Sequence, residues 1–375
     1  AALPVPLSQL FDYDHTDALP VGVRVRVPFG RRQLIGIVAG ETATPDERFQ
    51  RKAISEVLDS EPLWPQPLWQ LLLWAADYYH YPLGEVLHHA LPVLLRQGEL
   101  ANYQATIRYE LTAAGQAVQL EELKRAIQQQ RLLAALREAP LLSRDIRLHD
   151  YSPQALKTLQ EKGWVVAVEH RPAPAQSWEL KIAAEPLQLN PEQALAVAAI
   201  SAGQGHQTFL LEGVTGSGKT EVYLQIIAEV LRRGQQVLVL VPEIGLTPQT
   251  LKRFQERFAV PIVMLHSALT DRERLDAWLD ARGGHAAIII GTRSAIFTPC
   301  KALGMIIVDE EHDTSLKQQE GFRYHARDLA VKRGYEEGVP VILGSATPSF
   351  ETLNNALTKR YAHLQIRRRA GQAQP

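Results

Sequence analysis

The chain has 375 residues, 46% of them hydrophobic, enough for two or three domains with real cores. No apolar run approaches the roughly 20 residues of a membrane span, the first residues lack a signal-peptide pattern, and the single cysteine, Cys300, excludes an internal disulfide or a multi-cysteine zinc site; a reducing cytoplasm fits, with no membrane partner. Net charge is −1, so any contact with nucleic acid must rest on local basic patches.

Taken in order, residues 1–100 begin with β-like text: "VGVRVRVPFG" alternates Val and Arg, and "LIGIVAG" follows after a turn. Basic clusters occur at Arg24, Arg26, Arg31 and Arg32, at Arg48, Arg51 and Lys52, and at Arg367 to Arg369. Each is either a nucleic-acid footprint or an ordinary solvated face. The segment "LWPQPLWQLLLWAADYYHYPLGEVLHHAL" has helical spacing interrupted by prolines, with Trp64, Trp69 and Trp74 expected in the core. His88 and His89 lie there without a nearby carboxylate or cysteine, which argues against metal ligation.

Residues 101–175 read as mostly helical. "LEELKRAIQQQRLLAALREA" predicts one amphipathic helix, and "SPQALKTLQEKG" a second, capped by Ser152 with Pro153 at its first position and Gly163 past its end. "WVVAVEHR" then reads as a strand, so helices followed by a short wing predict a winged-helix-like module, which can bind DNA, bind protein or space other domains. The Pro- and Ala-rich "EHRPAPAQSWELKIAAEP" reads as a linker. Beyond it, "TFLLEG", "QVLVLVP", "PIVMLHS", "HAAIIIGT", "GMIIVDE" and "VPVILGS" are buried-type strands separated by helical text. The expected architecture is multidomain: a β-rich N-terminal domain over 1–100, to which the family resemblance given below adds DNA binding, the winged-helix-like module over 101–175, and over 176–375 an α/β P-loop (RecA-like) lobe with a doubly wound parallel sheet.

"GVTGSGKT" has the G-x-x-x-x-G-K-[ST] spacing of a phosphate cradle, between a strand and a helix. Gly213, Val214, Thr215, Gly216, Ser217 and Gly218 would turn their backbone N–H groups toward phosphate oxygens. Lys219 would reach the β- and γ-phosphates, and Thr220 would ligate magnesium. "GMIIVDEEHD" sets Asp309 and Glu310 directly after a buried strand, where two carboxylates are costly without a cation. Asp309 is expected to hold the magnesium, and Glu310 to polarise the attacking water; Lys219, Asp309 and Glu310 form the candidate catalytic set.

Asp309-Glu310-Glu311-His312 resembles the D-E-x-H box of superfamily-two helicases, and further motifs follow in their order. "LNPEQ" supplies Gln193 where these helicases contact adenine. "VPEIGLTPQ" and "GTRSAIFTP", with Thr292 and Arg293, sit where strand-end loops grip a DNA backbone, and "GSATPS" resembles the motif that couples ATP to DNA. "VPEIGLTPQT", "LKQQEG" and "GFRYHARDLA", together with "ALPVPL", "FDY", "RVRVPFG", "EVLDSEP" and "LLLWAADYYHYPLGEVL" nearer the start, are similar to the primosomal protein A family of bacterial replication-restart helicases. The resemblance covers nearly the whole chain, least specifically around 100–185.

That resemblance implies an ATP- and Mg2+-dependent 3′→5′ helicase that unwinds the lagging-strand arm of abandoned forks and helps to reload the replicative helicase. The implied partners are forked and single-stranded DNA, primosome proteins such as PriB and DnaT, and single-strand-binding protein, in the cytoplasm at the nucleoid. Its N-terminal domain binds the 3′ end of the nascent leading strand, in a pocket matched by Phe11, Asp12, Tyr13, Gly36 and Lys52; taken alone, "FDY" is equally a turn with two core aromatics. The loop carrying Phe322, Arg323, Tyr324, His325 and Arg327 corresponds to the family's relay between DNA and hydrolysis. Its composition suits stacking on single-stranded DNA, or else a loop packed by its own aromatics. Family members continue into a second ATPase lobe, which supplies an arginine finger, and a zinc module of cysteine pairs. The chain is therefore expected to be an N-terminal portion, binding nucleotide with weak hydrolysis and holding no zinc itself. Two other classes stay open: a P-loop enzyme indifferent to DNA, and a fork-binding module without ATPase activity.

Overall fold

The computed structural model describes residues 1–41, 51–103, 106–124, 126–143, 146, 151–170 and 178–369. The chain packs as two compact units, one of residues 1–101 with 175–375 and one of residues 102–174.

In the first unit, β1 (Tyr13–Asp14) pairs in parallel with a later strand, β4 (Lys52–Ala53). Between them β2 (Arg24–Phe29) and β3 (Arg32–Ile37) form an antiparallel hairpin, and β5 (Glu56–Val57) joins the free edge of β2. The Val/Arg alternation puts Val23, Val25 and Val27 in the core. It does not send every arginine to solvent. Arg24 is 0% exposed, gripped by both carboxylate oxygens of Asp59 and by the carbonyls of Leu95 and Glu99. This strand is covered on both faces, so Arg24 drops out of the expected basic patch; Arg48 lies outside the described residues.

Three helices follow, α1 (Gln66–Tyr78), α2 (Leu83–His89) and α3 (Val93–Arg96), each behind a proline at its cap, where the missing N–H breaks no helical hydrogen bond. Trp64 and Trp69 are buried, whereas Trp74 is half-buried and stacks at 4.5 Å on exposed Tyr78.

In the second unit, β6 (Thr106–Leu111) is flanked by β7 (Leu141–Leu142) and β8 (Val165–His170), both antiparallel to it. Among the described residues this unit carries α4 (Ala113–Ala117), α5 (Ile127–Glu138) and α6 (Pro153–Glu161), with the Ser152 hydroxyl capping α6 as predicted. The sheet includes a strand ahead of the helices, which a reading of helices followed by a wing leaves out. The single helix expected over 120–139 is broken: a 3₁₀ turn, Leu120–Leu123, precedes α5. Leu123 and Leu132 share one core, and residues nine apart lie about two and a half turns apart on a continuous helix, on opposite sides. The break brings both inward.

The rest of the first unit is an α/β lobe. Its seven strands are all parallel, β9 (Thr208–Gly213), β10 (Gln236–Leu240), β11 (Ile262–Leu265), β12 (Ile288–Gly291), β13 (Leu303–Val308), β14 (Val341–Ser345) and β15 (Ala362–Ile366), in the order β11-β12-β10-β13-β14-β9-β15. The helices α7 (Pro191–Ala202), α8 (Lys219–Arg232), α9 (Pro248–Arg257), α10 (Asp271–Gly283), α11 (Ala326–Glu337) and α12 (Phe350–Leu357) alternate with them. This is the doubly wound parallel sheet expected. The edge strand β15 is absent from the sequence reading because "AHLQI" lacks the continuous apolar run of a central strand. The expected linker is in part structural: Trp178 and Leu180 pack on the lobe core, the Trp178 indole donates to Gly284 O at 3.0 Å, and Ile182 bridges Phe258. Its residues 171–177 lie outside the described ones.

Candidate nucleotide and DNA sites

Functional side chains gather at the carboxyl ends of the parallel strands. β9 ends at Gly213 and α8 begins at Lys219; Gly216 (φ 80°) and Gly218 (φ 82°) make the turn in the left-handed region that glycine adopts without strain. Lys219 Nζ donates to Gly213 O at 3.0 Å and stands 3.6 Å from Glu310 Oε1. Gln193 Nε2 donates to Ser217 O at 2.9 Å, while its Oε1 accepts from Asn190 N at 2.9 Å. Both ends of that amide are occupied by backbone, so Gln193 braces the loop from behind. Ser217 Oγ is buried without a hydrogen-bond partner among the described residues. Val214, Thr215, Gly216, Ser217, Gly218, Lys219 and Thr220 face Leu187, Arg253, Asp309 and Glu310 across a cavity of about 640 Å³.

The buried run of β13 delivers Asp309 to this cavity. Burial raises the Asp309 carboxyl above the ordinary range, and the Glu310 charge adds to it; the Tyr223 hydroxyl and Lys219 pull the other way. Tyr223 Oη donates to Asp309 Oδ1 at 3.0 Å, and burial together with Asp309 pushes that hydroxyl well up, so it remains a donor. Glu310 has φ 45°, unusual for a residue with a side chain, and the bend turns the chain out of the strand. The cradle and carboxylates fit a nucleotide phosphate with its cation: an orphaned hydroxyl, a glycine backbone, one ammonium, and the Asp309 carboxyl, whose ionisation is opposed by burial and by the Glu310 charge and would be favoured by a cation.

Two residues to which the sequence reading gave no role complete this end of the sheet. Tyr223 stands one helical turn after Lys219, a spacing that could have pointed to it. Glu311, the variable letter of the box, is 0% exposed. It accepts from Ser349 N (2.7 Å), Ser349 Oγ (3.0 Å), Thr352 Oγ1 (2.8 Å) and Arg327 Nη1 (3.2 Å). His312 Nδ1 lies 2.8 Å from Ser345 Oγ. The carboxylate box is thus bonded to the "GSATPS" segment through two side chains.

Of the two readings open for the loop after the box, the structure shows the packed one. Phe322 and Tyr324 are each 1% exposed, packed with Tyr79, Tyr81, His89 and Phe297. Neither presents a face to a base; burial of large aromatic area against α2 and the residues just before it outweighs keeping them in solvent. Arg327 is buried and ion-paired with Glu311 and Asp328, which removes it as a direct DNA contact. Half-buried His325 accepts from Arg327 N at Nδ1; burial and the Arg327 charge lower its pKa, so the ring is neutral with its proton on Nε2. Arg323 is exposed. Thr292 is buried at the end of β12, and half-buried Arg293 donates to Ser315 O at 3.2 Å; both line a cavity of about 240 Å³ with Arg96, His266, Ser267 and Arg274.

Near the start of the chain, Phe11, Asp12 and Tyr13 line a cavity of about 470 Å³ with Asp14, His15, Gly40 and Arg51. Phe11 meets Phe29 edge-on at 5.3 Å, Tyr13 Oη donates to Pro28 O at 3.1 Å, and Asp12 is exposed. Lys52 is exposed opposite Tyr13 in the parallel pair, but its neighbour Arg51, paired with Asp14 at 3.0 Å, lines the cavity instead. Gly36 does not: inside β3, a Cβ there would come 2.6 Å from Leu3 Cδ2 and 3.3 Å from Ala2 O, so this glycine serves close packing. Among the described residues no cluster of three or more His, Cys, Asp or Glu has the geometry to hold a metal by itself.

Comparison with known proteins matches two stretches of the first unit. The family model described as the 3′ DNA-binding domain (PriA 3′BD) matches residues 1–92, and that for DEAD/DEAH box helicases matches residues 190–356. Replication restart protein PriA of Haemophilus influenzae is 46% identical over 383 residues, covering 99% of this chain and 52% of the relative. The protein of the same name from Chlamydia muridarum is 40% identical over 313 residues (80% of this chain, 41% of the relative). That of Bacillus subtilis is 43% identical over 225 residues (59% and 28%). The chain spans about half the length of the Haemophilus relative.

Proposed function

From the premise that this chain belongs to the replication restart protein family, we propose that it serves an ATP-dependent 3′→5′ DNA helicase which recognises stalled or abandoned forks and restarts replication. The observation that carries the reading is the pairing of the orphaned Ser217 hydroxyl and glycine cradle on β9 with Asp309 and Glu310 on β13, one strand removed, in a chain with a cavity at the "FDY" segment.

In this reading the backbone N–H groups of residues 214–219 and Lys219 hold the phosphates, while Thr220 and Asp309 hold magnesium. ATP with magnesium supplies the phosphoanhydride bond and neutralises its charge. Glu310 takes a proton from the attacking water, Tyr223 orients Asp309 through Oδ1, and Gln193 keeps the loop in register. The cavity lined by Phe11, Asp12, Tyr13 and Arg51 receives the 3′ end of a strand, by stacking, by a carboxylate acceptor and by a guanidinium near phosphate. Arg293 and exposed Arg323 contact the DNA backbone, with buried Thr292 supporting the turn that carries Arg293. The 102–174 unit serves as a winged-helix-like DNA or protein contact. Primosome proteins and single-strand-binding protein are the partners, at the nucleoid in the cytoplasm.

Assayed alone, these 375 residues should bind nucleotide with weak turnover, because in this superfamily the charge that closes over the γ-phosphate comes from the second lobe and is worth about three to five orders of magnitude. The test is ATP turnover of the 375 residues and of the full-length protein, with and without forked DNA, and of full-length Lys219→Ala. Fork-stimulated turnover in the full-length protein, lost in Lys219→Ala with fork binding kept, is expected. Turnover indifferent to DNA would leave a P-loop enzyme of another kind.

A further inference from the structure

We propose that Tyr79 is a positioning residue through which the N-terminal cavity governs the carboxylate box of the lobe. The inference rests on the function proposed above. It supplies an input that the buried ring faces of Phe322 and Tyr324 do not take from DNA directly.

A continuous set of contacts joins the two sites. At one end, Phe11 N donates to Ala1 O at 2.9 Å, which ties the cavity wall to the segment carrying Leu3. Gly84 in α2 lies so close to that segment that a Cβ on it would collide with the Leu3 carbonyl. The other end of α2 places His89 among Phe297, Phe322 and Tyr324, at centroid distances of 6.0, 5.8 and 5.6 Å. A single short helix therefore spans from the cavity's backing to the lobe's aromatic loop. Burial and the Arg96 charge hold His89 neutral, so it packs there as a ring without ionic cost.

Just before α2, Tyr79 makes the polar contact. Its ring meets Phe322 edge-on at 5.8 Å, and its Oη accepts from His325 N at 3.2 Å. His325 Nδ1 accepts from Arg327 N at 3.3 Å, and Arg327 Nη1 donates to Glu311 Oε2 at 3.2 Å and to Ser349 Oγ at 2.6 Å. Glu311 is two residues from Asp309. A buried carboxylate with this many donors resists gradual displacement, because each lost bond in a low-dielectric interior leaves an unpaired charge or dipole. A shift of α2 on DNA-end binding is accordingly passed on to the box as a change between discrete arrangements.

The experiment uses full-length protein and compares two forks, one with a free leading-strand 3′ end and one with that end blocked. ATP turnover without DNA, fork affinity and fork-stimulated turnover are measured for wild type and Tyr79→Phe, which keeps the ring and removes the acceptor. The expected result is unchanged DNA-free turnover and fork affinity, with the advantage of the free-end fork in turnover reduced about three- to ten-fold, the worth of one hydrogen bond. Hydrogen exchange at residues 322–327 should slow on binding the free-end fork in wild type and not in Tyr79→Phe. An undiminished advantage in Tyr79→Phe overturns the proposal, as does an equal fall in DNA-free turnover, which would mark a merely structural role. Wild type that hydrolyses ATP equally on both forks overturns the coupling and leaves the helicase reading standing. Wild type with no DNA-dependent turnover removes both.

Discussion

Tyr223 and Gly344 touch across the end of the sheet: the hydroxyl that donates to Asp309 Oδ1 occupies the space where a side chain on residue 344 would begin. A Cβ on Gly344 would overlap that hydroxyl and lie 3.3 Å from Asp309 Oδ1. The glycine of "GSATPS" is thus set by the tyrosine that positions the acidic ligand. Gly344→Ala should cost about 1–3 kcal/mol through overpacking and displace Asp309, with turnover falling more than nucleotide affinity. Adding Tyr223→Phe should recover part of the lost melting temperature without recovering turnover. Turnover and thermal unfolding of the single and double variants check this, and full activity in Gly344→Ala would sink it.

Arg24 and Asp59 form a buried pair, 0% and 5% exposed, with the guanidinium also serving two carbonyls. Asp59→Ala leaves that charge without its partner and should destabilise the first unit by about 3–5 kcal/mol. Arg26→Ala, at an exposed pair with Glu56, should cost at most about 1 kcal/mol. Denaturant unfolding of the two variants provides the contrast; equal effects would mean that Arg24 is solvated.

His88 and His89 are held neutral mainly by burial, their pKa lowered to about 4. The unfolded chain protonates them near 6.5. Between those values the unfolded state binds more protons, so the stability they contribute is complete above about pH 6.5 and is lost as pH falls toward 4. Melting temperature should drop across that window, and less steeply in His89→Phe. Parallel profiles for wild type and variant would contradict neutral burial of His89.

Asp12 is an exposed carboxylate in the cavity at the start of the chain. Asp12→Ala should remove about 1–3 kcal/mol of the preference for a fork with a free leading-strand 3′ end, leaving affinity for the blocked fork unchanged at fixed salt. Competition binding of the two forks measures it. A variant that weakens both equally would assign Asp12 to general electrostatics.

Sequence by itself determined the features written in local spacing. A cradle needs consecutive residues between one strand and one helix, so "GVTGSGKT" is legible without knowing what lies across the sheet. Asp309 and Glu310 are legible likewise, since two carboxylates directly after a continuous apolar run are costly without a cation. The central strands were legible because burial on both faces enforces such runs, whereas edge strand β15 needs no such signature. Tertiary structure decided which polar and aromatic side chains were free to act. Arg24, Arg327, Phe322 and Tyr324 stayed open between a nucleic-acid contact and a bland role, and segments distant in sequence bury them: Asp59 and α3 for Arg24, Glu311 and Ser349 for Arg327, Tyr79 and His89 of α2 for the rings. Glu311 and Tyr223 matter only through partners dozens of residues away. Periodicity records which face of an element is apolar, but a charge is buried or free according to what the rest of the chain brings against it, and that is decided only when the chain closes on itself.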